Sequence, residues 1–143
     1  MPYRFIEDIA IADVAYEAWG KTREEMFKAS AEALVNVMVT ALETVLEAEE
    51  IEVRLENRCL DLLLFDLLNE ILFYKDSRLL ILRLKLAKIS LSEDTYILDA
   101  VLSGERIDSA RHPLSVDVKA VTLHRFHVEE TAEGWRSQVI LDI

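Results

Sequence analysis

At 143 residues the chain is long enough to bury a core of its own and fits a single domain, 1–143. Hydrophobic residues make up 52% and charged ones 30%, a balance that excludes a disordered chain. Against 27 Asp and Glu stand 16 Lys and Arg, a net charge of −11. Phosphate backbones are repelled by such a surface, which excludes direct, sequence-independent nucleic-acid binding and favours a basic protein or a metal cation as partner. With Cys59 as its one cysteine, the chain forms neither an intrachain disulfide nor a Cys-based zinc site, and a reducing, cytoplasmic compartment is expected. Glu7 and Asp8 stand where a signal peptide needs apolar residues, and no apolar run reaches the roughly 18 residues of a membrane span, so a soluble protein is expected.

In chain order, Ala12 to Trp19 reads as a strand ended by Gly20. Thr22-Arg23-Glu24-Glu25 then matches a capping box, in which hydroxyl and carboxylate satisfy orphan N–H groups at a helix start. Met26, Phe27, Ala29, Leu34, Val37, Met38, Ala41, Leu42 and Val45 follow at helical spacing and predict one long helix. Ile51 to Leu55 alternates as a half-buried strand. Leu60, Leu63, Leu64, Leu67, Leu68, Ile71 and Leu72 predict a second amphipathic helix, whose polar face carries Asp61, Asp66, Asn69 and Glu70. From Leu80 the period is two, with Leu80, Leu82, Leu84 and Leu86 expected on one face. Tyr96 to Leu102, Val116 to Glu129 with a break near His124, and Trp135 to Ile143 are further strands, separated at Ser92-Glu93-Asp94, Ser103-Gly104-Glu105 and Thr131 to Gly134. The fold class expected is α+β, two main helices packed on a mostly antiparallel sheet.

Three groups of residues invite chemistry. Asp13 sits in the apolar run Ile9 to Ala15, where a charge is costly unless paired or coordinating; it reads equally as a solvated residue on a strand's outer face. The chain closes on Asp142 and the Ile143 carboxylate, adjacent negative groups that repel unless a cation or N–H donors lie between them. Together with Asp13 they form an all-oxygen donor set, which selects Ca²⁺, Mg²⁺ or Mn²⁺ over zinc. Lys119, between Val118 and Ala120, and His124 read either as solvent-facing strand residues or as a cation offered to a phosphate or a partner's acid. Glu70 with Asn69 reads first as a solvated helix face. No Ser-His-Asp order, P-loop, glycine fingerprint or HExxH run is present, and His112, before Pro113, reads as a loop residue.

The blocks taken in register resemble the archease family: Ala12-Asp13-Val14, Ala18 to Thr22, Val37-Met38, Leu67 to Leu72, Gly104-Glu105 with Asp108 and His112, Val118 to Thr122 with His124, and Gly134-Trp135 with Val139 to Ile143. That resemblance implies a non-catalytic accessory protein of tRNA splicing, which helps a GTP- and manganese-dependent RNA ligase through guanylylation and multiple turnover. It implies a metal site, calcium first, on Asp13, Asp142 and Ile143, and an activity-bearing lysine at Lys119, with His124 and Glu70 as further partner residues. A chaperone-like modulator of an RNA-modifying enzyme, such as a tRNA methyltransferase, is the alternative. The chain departs from the family pattern at Ala10 and Ile11, where His and Thr are usual, and at Leu123, where Tyr is usual. Losing two polar neighbours implies a weaker metal site, by about 10- to 100-fold where such groups orient the ligands.

Overall fold

The structure, a computed structural model, describes residues 2–6 and 13–143. The elements are β1 (Tyr3–Ile6), β2 (Asp13–Gly20), α1 (Arg23–Met38), β3 (Glu49–Asn57), α2 (Leu60–Arg78), β4 (Leu80–Ser92), β5 (Thr95–Arg106), β6 (Ala120–Thr131) and β7 (Gly134–Asp142), with a 3₁₀ turn at Leu42–Thr44. The expected α+β class holds, but the strands form two sheets rather than one: β1-β2-β7-β6 and β3-β5-β4, antiparallel in every pair. α1 packs chiefly on β2 and β4 and α2 on β4 and β6, so the helices join the two sheets over one core.

The start of α1 follows its sequence. The Glu25 amide donates to Thr22 Oγ1 at 3.1 Å, and Glu25 Oε2 accepts from the Lys21 amide at 2.9 Å, one residue earlier than the usual reciprocal partner. The helix stops at Met38, well before Val45. There the Asn36 side-chain amide donates to the Val39 and Thr40 carbonyls, and Val39 leaves the helix to bridge Leu114. α2 runs further than expected, to Arg78, with Leu79 in the left-handed region as its cap.

Two strand readings change for local reasons. A register shift between Leu84 and Leu86 in β4 breaks the alternation, so Leu80, Leu82 and Leu84 are buried while Leu86 is 61% exposed. Ser103-Gly104-Glu105 does not separate strands; it lies inside β5, where Gly104 pairs with Leu82. A Cβ on Gly104 would lie 1.8 Å from the Ile81 carbonyl oxygen, so the glycine there answers a close backbone approach. The strand expected from Val116 begins only at Ala120.

The break near His124 is present as a bulge. Thr122 pairs with Ile140 and His127 with Gln138, leaving residues 123–126 opposite Val139 alone, and Arg125 takes φ 54°. Phe126 in that bulge meets Phe65 of α2 edge to face at 5.5 Å, which anchors it to the core side.

Gly104→Ala is expected to lower stability by about 2–3 kcal/mol, since the clash is with backbone and no side chain can move aside. The fall in the urea midpoint measures it; an unchanged midpoint would mean that β4 and β5 do not approach as described.

Candidate functional site

Directly opposite residues of an antiparallel ladder project from the same face, so register alone reports which side chains meet. Asp13 of β2 pairs with Asp142 of β7, and Asp142 pairs with Ala120 of β6. The next row, Val14, Leu141 and Val121, belongs to the opposite face, which is the core: Leu141 is fully buried and Val121 nearly so. Tyr16 shares that core face and its hydroxyl meets Ser30 of α1 at 3.2 Å. The two aspartates therefore lie on the face turned away from α1, at the end where β2 begins and β7 finishes. Both are half-buried.

Like charges placed directly across a ladder destabilise the pair unless something between them compensates. Two hard carboxylates with the main-chain oxygens of Ile143 beside them suit a cation such as Ca²⁺, Mg²⁺ or Mn²⁺. Among the described residues no group of three His, Cys, Asp or Glu side chains gathers. Ala10 and Ile11, the departures from the family pattern, lie outside the described residues.

Lys119 joins the pair through its backbone: its amide donates to the Asp142 carbonyl at 2.8 Å, while its side chain is exposed and makes no ion pair among the described residues. The other two expected partner residues are not brought into contact with the acids. His124 is exposed on the bulge, and Glu70 is half-buried on α2; neither makes a side-chain hydrogen bond among the described residues. Asn69 is occupied locally, donating to the Phe65 carbonyl at 3.0 Å.

Sequence reasoning missed two clusters that hold the irregular segment before β6. In the first, Lys75 of α2 is buried; its Nζ donates to Asp117 Oδ1 at 2.6 Å, to the Val118 carbonyl at 2.9 Å and lies 3.0 Å from Asp76 Oδ1. Burial works against the ammonium, but the hydrogen bonds to Asp117 and Asp76 outweigh it and raise its pKa above the ordinary lysine value. The signal was in the sequence: Lys75 continues the apolar stripe through Ile71 and Leu72 by helical spacing, where a charge needs a partner.

The second cluster centres on Glu105, a buried carboxylate. Its Oε2 accepts from the Leu46 amide at 2.7 Å and from His112 Nε2 at 3.1 Å, and its Oε1 pairs with Arg111. His112 lies in a loop, as expected, but it is buried there, 2% exposed. Its Nδ1 accepts from the Asp108 amide at 2.9 Å, which assigns the ring hydrogen to Nε2, aimed at Glu105. The Leu46 amide foremost, with Arg111 and His112, holds the Glu105 carboxyl down at about 2 against the opposing effect of desolvation.

A cavity of about 1060 Å³ opens at the other end of β2 and β7, between Trp19, Trp135 and the Lys28 and Glu32 side chains of α1. Asp13, Asp142 and Lys119 do not line it, so this hollow and the charged row are separate features.

Comparison with known proteins agrees along the whole chain. Residues 3–143 match the sequence model of the archease protein family (MTH1598/TM1083). Protein archease of Methanosarcina mazei is 34% identical over 142 residues, covering 99% of this chain and 95% of the relative, and that of Pyrococcus abyssi is 35% identical over 133 residues, covering 92% and 93%. The solution structure of Methanobacterium thermoautotrophicum protein 1598 superposes with a TM-score of 0.85 at 31% identity, covering 99% of each chain. A crystal structure from Thermotoga maritima, described as an archease and possible chaperone, shares the fold at a TM-score of 0.59 and 21% identity, covering 98% of each chain.

The Glu105 network makes stability depend on pH in a defined sense. A carboxyl whose folded value lies below its ordinary 4.5 adds stability that is fully present above about 4.5 and is lost as pH falls towards about 2. The stability difference between wild type and Glu105→Gln, from urea unfolding, is expected to be greatest near neutrality and to shrink steadily through that window. A difference that stays constant down to its lower edge would contradict the charged network.

Proposed function

Because the chain belongs to the archease family, we propose that it is an accessory protein of tRNA splicing that drives a GTP- and manganese-dependent RNA ligase through guanylylation and multiple turnover, without catalysing ligation itself. The observation that carries the reading is the register pairing of Asp13 with Asp142, with the Lys119 amide bound to the same residue. A half-buried acidic pair, beside an exposed lysine that makes no ion pair among the described residues, suits the metal-dependent site of a nucleotidyl-transferring enzyme better than it suits RNA, which a surface of net charge −11 repels.

In this reading Asp13, Asp142 and the main-chain oxygens of Ile143 are the groups that hold a divalent cation, Ca²⁺ first, then Mg²⁺ or Mn²⁺. When bound, such a cation supplies positive charge that neutralises phosphate oxygens during phosphoryl transfer. Lys119 contributes its ammonium to a phosphate or to an acidic side chain of the ligase, at a distance from Asp142 set by its backbone bond. His124, lifted by the bulge, and Glu70 on α2 are further contacts for the ligase. The working compartment is the cytoplasm.

A second reading, a chaperone-like modulator of an RNA-modifying enzyme such as a tRNA methyltransferase, draws on the description of the Thermotoga maritima protein as a possible chaperone. It differs in one respect that can be measured: it predicts activity that survives chelation and loss of the carboxylates.

Single-turnover guanylylation of the cognate ligase separates the two. Asp13→Ala, Lys119→Ala and a chain lacking residues 142 and 143 are each expected to lower the stimulated rate by about tenfold or more. Stimulation that is undiminished in all three defeats the ligase-activator mechanism.

A further inference from the structure

The charge on Lys75 has no packing reason to be there. It occupies the end of the apolar stripe of α2, after Leu68, Ile71 and Leu72, and its side chain is only 7% exposed. An apolar residue of similar volume in such a place is often neutral or stabilising relative to a buried ion pair. Nor does the pairing shelter its partner, because the Asp117 side chain is 77% exposed and solvated carboxylates gain little from an ion pair. What the contact does change is where the Asp117 charge is held.

Asp117 and Lys119 flank Val118, which is fully buried between two exposed neighbours. Residues two apart on an extended chain are separated by about 6.6 Å, within reach of a lysine's four-carbon stem. Left to itself, Asp117 is therefore the nearest acid in sequence to which Lys119 can bind. In the structure it is instead taken by Lys75, while the Val118 carbonyl is taken by the same Nζ. Lys119 makes no ion pair among the described residues.

We propose that Lys75 is a positioning residue that acts by occupation: it binds Asp117, so that this carboxylate does not quench Lys119, and thereby leaves the Lys119 ammonium available beside Asp142 for a phosphate or an acidic side chain of the ligase. The part concerning the ligase rests on the function proposed above; the part concerning Asp117 and Lys119 does not. Lys75 acts only through its neighbours, Asp117 and Val118.

The test is the acetylation rate of Lys119 in the full-length chain, measured with sulfo-N-hydroxysuccinimide acetate and peptide mass spectrometry, alongside guanylylation of the ligase. Lys75→Met is expected to slow Lys119 labelling about two- to threefold, the size of an exposed ion pair, and to lower stimulation with it. Lys75→Met with Asp117→Asn should restore both, a rescue that a purely structural tie would not give, and Asp117→Asn alone should leave Lys119 labelling at the wild-type rate. Should Lys75→Met lose its fold, Lys75→Gln, which keeps a donor for the Val118 carbonyl, carries the same expectation. Unchanged labelling in the Lys75 variant, labelling that stays slow in the double variant, or full stimulation in the Lys75 variant overturns the inference. If labelling follows the expected order but no chain, wild type included, stimulates the ligase, the proposed function fails and the occupation of Asp117 by Lys75 stands.

Discussion

Two carboxylates stand directly across an antiparallel strand pair, and the register of β2 against β7 puts them there. Sliding β7 by one residue would exchange the faces of Leu141, fully buried against the core, and of half-buried Asp142, so the burial of Leu141 also fixes where Asp13 and Asp142 meet. The cost of holding like charges together is thus imposed by the hydrophobic pattern, and in the proposed function a cation is the group that would offset it.

Placing Lys119 is a harder problem, because residues 107–119 form no helix or long strand. Their backbone is tied at intervals instead: Ser115 and Val116 donate to the Met38 and Val37 carbonyls at the end of α1, and Lys119 donates to Asp142. Two buried charges secure the rest. Glu105 gathers the Leu46 amide, Arg111 and His112 at one end, and Lys75 takes Asp117 and the Val118 carbonyl at the other. The early stop of α1 belongs to the same arrangement, since Val39 must leave the helix to bridge Leu114.

Legibility in the sequence followed the reach of the interactions. The Thr22 cap, the apolar stripe of α2 and the strand read from Trp135 depend on neighbours within a turn or a strand, and they appear where expected. Convergence of Asp13 with Asp142 was also legible, because two charges in apolar runs at opposite ends of a chain call for one compensating partner, and the family resemblance pointed to the same residues. Leu86 and Gly104 were misread, and the burial of His112 was not foreseen, for a different reason. A bulge in β4, a carbonyl of Ile81 and a carboxylate on β5 decide their surroundings, and each is a tertiary neighbour that local periodicity does not report. Lys75 was overlooked although its spacing placed it on the buried stripe of α2.

Manganese titration followed by electron paramagnetic resonance, on wild type and on Asp13→Asn and Asp142→Asn, tests the central claim most directly. One Mn²⁺ bound per chain in wild type, with affinity lowered at least about tenfold in each variant, is the predicted result. Binding that is absent from the wild type, or retained undiminished in both variants, would contradict it.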